Sequence, residues 1–183
     1  MLYEESLIIK DVLKNINGKK ILNVCSSDEK FWKELQPFIW ENVISPLLER
    51  GNKVVNLDKK ESKGVDIVCD CQDMGIVDNN SYDVVIFTSG IEHLEFPKKA
   101  LKEIKRVLKE DGFMVCSAPG VYPEHNDPFD NMLRFPTRES WVSYLGKDWV
   151  IESFFKTTPE KAKPIYDFKE LVFATIIKAY PIK

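Results

Sequence analysis

Two periodicities alternate along the chain, and each exchange marks a change of element. Leu2, Leu7, Ile8, Val12, Leu13 and Ile16 recur at the spacing of an amphipathic helix, which Asn17-Gly18 stops. Ile21-Leu22-Asn23-Val24-Cys25 is then a short apolar run of the buried-strand kind. The spacing from Phe31 to Arg50 predicts a second helical segment, interrupted near Pro37 and Pro46 and ended by Gly51. Val54 to Leu57 and Val65 to Cys69 read as strands that stop at Asp58 and Asp70. Tyr82 to Phe87 is the clearest buried strand, introduced by the turn chemistry of Asp78-Asn79-Asn80-Ser81. Pro97 to Glu110 predicts a helix with Ala100, Leu101, Ile104, Val107 and Leu108 on one face and lysines on the other. Asp111-Gly112 is its expected stop, and Phe113 to Ser117 the next strand.

A Pro- and Asp-containing loop follows from Ala118 to Pro136, after which Thr137 caps a short helix over Arg138 to Leu145. Trp149 to Phe155 and Leu171 to Ala179 are strand-like and flank the polar stretch Lys156 to Lys169, with no helix between them. Strands alternating with helices pack as a parallel sheet covered on both faces, and two closing strands without a helix finish as a hairpin. The expected fold is therefore α/β: a doubly wound, Rossmann-like, mostly parallel sheet of about seven strands with a reversed C-terminal strand. Without repeats, low-complexity tracts or linkers, residues 1–183 read as a single domain.

Composition narrows the functional classes. A formal net charge of -3 forecasts no non-specific grip on nucleic acid, so no nucleic-acid partner is expected. Glu4, Glu5, Lys10 and Asp11 interrupt the N-terminal apolar residues, leaving no signal-peptide core. No window approaches the roughly 18 apolar residues of a membrane span. A soluble, cytoplasmic protein is expected, its oligomeric state left open. The four cysteines are Cys25, Cys69, Cys71 and Cys116. Cys69-x-Cys71 is not zinc-knuckle spacing, and the only histidines, His93 and His125, stand far off in sequence. Reduced, buried thiols are the expected reading, and no metal site.

Ligands of an open α/β sheet sit beyond the carboxyl ends of its strands. There the sequence places Cys25-Ser26-Ser27-Asp28, Asp58, Asp70-Cys71, Thr88-Ser89-Gly90 and Ala118-Pro119-Gly120. An acid just after the second strand can accept both vicinal hydroxyls of a ribose, and Asp58 has that position. A solvated turn aspartate before Lys59 and Lys60 is the alternative.

From Val65 onward the chain resembles the class I S-adenosylmethionine-dependent methyltransferases of the type 11 kind. The resemblance is carried by Ser81-Tyr82-Asp83-Val84-Val85, by Ile91-Glu92-His93-Leu94, and by the lysine-rich helix ending in Lys109-Glu110-Asp111-Gly112. The loop Val121 to Asp130 and the block Leu133-Arg134-Phe135-Pro136-Thr137 are similar to a subgroup associated with surface-glycan assembly. The match covers roughly residues 19 to 155. The resemblance implies S-adenosylmethionine as cofactor and a small-molecule or glycan-linked methyl acceptor. It implies that Asp58 binds the ribose, that Asp70 and the Cys71 backbone face the adenine, and that Ser89 and Gly90 border the methionine moiety. Glu92 and His93 would lie near the pocket mouth, Glu92 toward the cofactor and His93 toward the substrate, or else form a helix-start pair organising the loop.

One block departs from the family pattern. Asn23 to Asp28 lacks the usual strand acid and the glycine-rich turn that lets backbone approach the cofactor. Side chains there would fill the space of the methionine end or prevent a positive φ, while Ser26, Ser27 and Asp28 would still offer polar contacts to an ammonium group. For the acceptor, His125 is the candidate general base by type and loop position, with Asp127, Asp130 and Arg134 orienting a polar substrate. Bracing of the Pro-rich loop is the alternative for His125. Tyr122, Phe129, Phe135 and Trp141 suit lid packing better than substrate stacking. A non-catalytic binding module on the same fold is the competing expectation. A nicotinamide-dependent oxidoreductase is weaker, because no G-x-G-x-x-G turn is present.

Overall fold

The computed structural model describes residues 1–121, 129–157 and 172–183. Its strands are β1 (Lys20–Val24), β2 (Lys53–Asp58), β3 (Ile67–Val68), β4 (Tyr82–Thr88), β5 (Leu108–Pro119), β6 (Trp149–Thr157) and β7 (Ala174–Pro181). They form one sheet in the order β3-β2-β1-β4-β5-β7-β6. Strands β1 to β5 pair in parallel, and β7 runs antiparallel between β5 and β6. The doubly wound, Rossmann-like expectation with a reversed last strand is the observed architecture.

Alternate side chains of the central strands supply two cores. Ile21, Val84, Ile86 and Val115 face α1 (Tyr3–Val12) and the segment around Val43, Ile44 and Leu47. Leu22, Val24, Val85, Phe87, Met114 and Cys116 face α4 (Pro97–Val107) and Trp141 of α5 (Arg138–Leu145). Continuous apolar runs, rather than alternating ones, are what a sheet covered on both faces demands.

The segment from Phe31 is helical but irregular, as its two prolines require. Gln36 leaves helical geometry just before α2 (Pro37–Ile39), since a residue preceding proline is pushed from the α region. Pro46 does not break the chain. The preceding turn, Trp40–Ile44, widens so that Ser45 N–H reaches Trp40 O, and α3 (Ser45–Glu49) continues. A widened turn accommodates the donor that Pro46 lacks.

Helix α4 ends at Val107, three residues before the expected Glu110. Leu108 is fully buried and pairs with Tyr82, while Val84 already pairs with Phe113, so Lys109 to Gly112 bulge out between the two registers. Helix α5 starts where its cap predicts: Ser140 N–H donates to Thr137 Oγ1 at 3.2 Å.

Asp83 ties the edges of the central strands together. Its carboxylate accepts Lys20 N–H at 2.9 Å and Lys109 Nζ at 2.9 Å, with Lys19 Nζ at 3.7 Å. Burial opposes ionisation of Asp83, but these donors outweigh it and hold its carboxyl below the usual carboxylate range. A depressed carboxyl contributes stability above its unfolded value near about 3.9, lost as pH falls through the lower folded value. Asp83→Asn is expected to cost roughly 1 kcal/mol in urea unfolding at neutral pH. The difference from wild type should shrink as pH falls through the lowered folded value of this carboxyl.

Candidate functional site

The strand order reverses between β1 and β4, so the connections leaving these strands depart to opposite sides and open a crevice above their carboxyl ends. A cavity of about 660 Å³ occupies that crevice, within the range of small-molecule sites. Of the residues singled out in the sequence, it brings together Cys25, Ser26 and Ser27 after β1, Asp58 ending β2, Asp70 and Cys71 after β3, and Ser89, Gly90 and His93 after β4.

The loop after β1 turns sharply without glycine. Cys25 and Ser27 take φ of 55° and 58°, the left-handed region that costs a side-chain-bearing residue roughly 1–2 kcal/mol. Three contacts hold it there. Ser26 N–H donates to Leu57 O at 3.1 Å, Ser27 N–H donates to Asp58 Oδ2 at 2.9 Å, and Cys25 Sγ lies 3.6 Å from Cys71 Sγ. The expectation that side chains here prevent a positive φ is thus overturned. Room for Cys25 comes from across the crevice: a Cβ on Gly90 would meet Cys25 Cβ at 3.1 Å and Phe87 Cε2 at 2.8 Å. Glycine is absent from the turn and present where the turn's side chain lands.

The two acids are held but not saturated. Asp58 accepts Ser27 N–H on one oxygen and Lys60 N–H on the other, at 2.9 and 3.1 Å. A carboxylate offers about four acceptor positions, so these two bonds leave capacity for a diol. Asp70 accepts Gln72 N–H at 2.8 Å and the Gln72 amide at 3.1 Å. The chain beyond it is bolted to α4. Arg106 donates to Met74 O and Val77 O, both at 2.7 Å, and Glu103 accepts Met74 N–H at 2.9 Å.

Other predicted residues stand elsewhere. Asp28 caps the Phe31–Leu35 turn by accepting Phe31 N–H at 2.7 Å, outside the cavity wall. Glu92 is buried beside His93, with Oε1 3.9 Å from His93 Nε2. Asp130 and Arg134 form a two-bond pair, at 2.6 and 2.9 Å, with the Asp130 side chain fully buried. Phe135 and Trp141 stack at 4.0 Å within the core, whereas Phe129 is half-exposed and lines the cavity. Tyr122, His125 and Asp127 lie outside the described residues. Sequence reasoning missed Gln72 and Glu95 on the cavity wall, and Asn131 behind it. Only Gln72 carried a signal, its place two residues after a strand-end acid.

The Cys25 and Cys69 thiols are held protonated. The hydrogen bond with Cys71, then burial, push the Cys25 thiol up, and burial pushes Cys69 to about 11.

Residues 42–116 match the family described as a methyltransferase domain. No curated protein matches the chain. Among solved structures, the chain is similar to the Burkholderia thailandensis 1,6-didemethyltoxoflavin N1-methyltransferase, which was crystallised with 1,6-didemethyltoxoflavin and S-adenosylhomocysteine. Identity is 13%, over 98% of this chain and 77% of that one, with a TM-score of 0.65. An Aquifex aeolicus SAM-dependent methyltransferase matches at 14% identity over 97% and 92%, TM-score 0.62. The [4+2]-cyclase SpnF matches at 11% over 97% and 80%, TM-score 0.66. Likeness at such identity is likeness of fold, and the cyclase shows that this fold hosts more than one reaction. Among the described residues, no helix is long and apolar enough to cross a membrane.

Two outcomes follow from the loop. Ser27→Gly should raise stability to urea by about 0.5–1 kcal/mol by relieving its left-handed backbone, while Ser26→Gly should lower it. With its thiol raised from 9.0 to about 11, Cys69 carries roughly a hundredfold less thiolate at neutral pH than an unshifted thiol. Its alkylation by iodoacetamide, followed by peptide mass spectrometry, should be correspondingly slow and should accelerate up to about pH 11.

Proposed function

We propose that this single-domain chain is an S-adenosylmethionine-dependent methyltransferase of the cytoplasm. The observation that carries the reading is the strand-end cavity at the β1–β4 switch, walled by an acid at the end of β2 and another after β3. The cofactor supplies a sulfonium-bound methyl group open to in-line displacement.

The residues present fit that group. Asp58 has acceptor positions left for the ribose hydroxyls, and Asp70 presents a carboxylate edge for the adenine amino group. Gly90 keeps the floor low beside Cys25, and the left-handed turn at Cys25 and Ser27 gives the backbone approach that glycines give elsewhere. Ser26, Ser27 and Ser89 offer polar groups to the amino-acid end. Cys71 flanks the adenine end, where its apolar thiol suits a ring face.

Catalysis by such a site is chiefly alignment and exclusion of water. A hydroxyl or amine acceptor also needs a base. His93 is the described imidazole on the cavity wall, with Phe129 beside it as an apolar lip. The acceptor is a small molecule, and a glycan-linked hydroxyl is the finer reading that the resemblance of the loop before Thr137 favours.

Isothermal titration with S-adenosylhomocysteine tests the reading directly. Micromolar binding is expected, and Asp58→Ala should weaken it at least about tenfold, equal to roughly 1.4 kcal/mol. A folded sample that takes up neither S-adenosylmethionine nor S-adenosylhomocysteine would overturn it.

A further inference from the structure

The turn that carries His93 is fastened to the loop behind it by one asparagine. Asn131 donates its backbone N–H to Glu92 O at 2.8 Å, and its Nδ2 to Ile91 O at 2.9 Å and Leu94 O at 2.8 Å. Its Oδ1 accepts Leu133 N–H at 2.9 Å, so both ends of the amide are engaged. Asn131 itself is not on the cavity wall. Two residues earlier in the same loop, Phe129 O lies 2.5 Å from His93 Nδ1. A carbonyl oxygen can only accept, so Nδ1 carries the proton, and the lone pair of the neutral ring is on Nε2.

We propose that Asn131 is a positioning residue for His93. Through the Phe129 carbonyl it holds the imidazole in the Nδ1-protonated tautomer, making Nε2 the nitrogen that takes the acceptor's proton during methyl transfer. This rests on the methyltransferase reading above.

The step balances. A lone pair of the acceptor's hydroxyl or amine forms a bond to the methyl carbon, and the carbon–sulfur bond breaks with its electron pair passing to sulfur. The acceptor's proton moves to Nε2. Sulfur loses its positive charge and the imidazole gains one. That charge forms 3.9 Å from the buried Glu92 carboxylate, with Nδ1–H still held by Phe129 O. Asn131 holds the backbone of Glu92 and lies two residues after Phe129, so its bonds fasten the His93 turn to the loop that supplies the Phe129 carbonyl.

The test reads the tautomer rather than turnover. The full chain, labelled with ¹⁵N-histidine and free of cofactor, is examined by long-range proton–nitrogen correlation at about pH 8, above the ordinary imidazole range near 6.5. The chain has two histidines, and His125→Gln assigns them. His93 is expected to show a pyrrole-type Nδ1 and a pyridine-type Nε2, the reverse of a solvated neutral imidazole. Asn131→Ala should shift it toward the Nε2-protonated form. Asn131→Asp, which keeps the size and the Leu133 contact but loses both amide donors, should do the same even if the alanine variant folds poorly. S-adenosylhomocysteine affinity of the variants should stay within about threefold of wild type, because the clasp lies off the cavity wall. An Nε2-protonated His93 in wild type, or an unchanged tautomer in both variants, overturns the proposal. Absence of S-adenosylhomocysteine binding by wild type removes the proton-accepting role while the tautomer stays readable, so the two failures are distinguishable.

Discussion

Strand β1 is hydrogen-bonded on both edges, by β2 and by β4, and covered on both faces. Most of what defines the site follows from that confinement. The strand stays extended only until Val24, which pairs with Leu57 and Phe87 next to the ends of the two neighbouring strands. The chain turns over the top of β2, where the Leu57 carbonyl and the Asp58 carboxylate take the amides of Ser26 and Ser27. The Asp58 carboxylate on the cavity wall is therefore also the anchor that holds the turn. One group thus anchors the turn and keeps about two acceptor positions open toward the cavity.

The central strands were legible because a sheet buried on both faces writes its strands as unbroken apolar runs, whereas the run over Val65 to Cys69 forms only the short edge strand Ile67–Val68, with Val68 exposed. Leu108 was not legible. Its spacing continues the face of α4, but full burial and pairing with Tyr82 draw it into β5, and tertiary pairing overrode the helical period. Pro46 likewise looks like a break in sequence and is absorbed by a widened turn. Local rules fix which residues are difficult, while the packing around them decides how the difficulty is resolved.

The site was legible in part for the same reason. Residues at strand ends converge whatever their loops do, so Asp58, Asp70, Ser89 and Gly90 could be placed by topology alone. What could not be read was compensation between distant positions. A turn without glycine looks obstructed until Gly90 is seen to vacate the space that Cys25 fills. Nothing local to residue 25 announces this, because the missing side chain belongs to the loop after β4.

Polar residues clustered in a loop near a pocket invite the inference that they meet the substrate, and Asp130, Asn131 and Arg134 show why that needs geometry. Asp130 and Arg134 face each other in two short bonds, with the acid fully buried. Removing Arg134 would take two hydrogen bonds from a fully buried carboxylate, so the pair is costly to break. Asn131, which no chemistry in the sequence recommended, spends its whole side chain on the backbone of residues 91–94 and of its own loop. Together they make this loop a brace that carries Phe129 to the cavity. What this loop brings to the cavity wall is the apolar ring of Phe129, beside His93, while Asp130, Asn131 and Arg134 stand behind it.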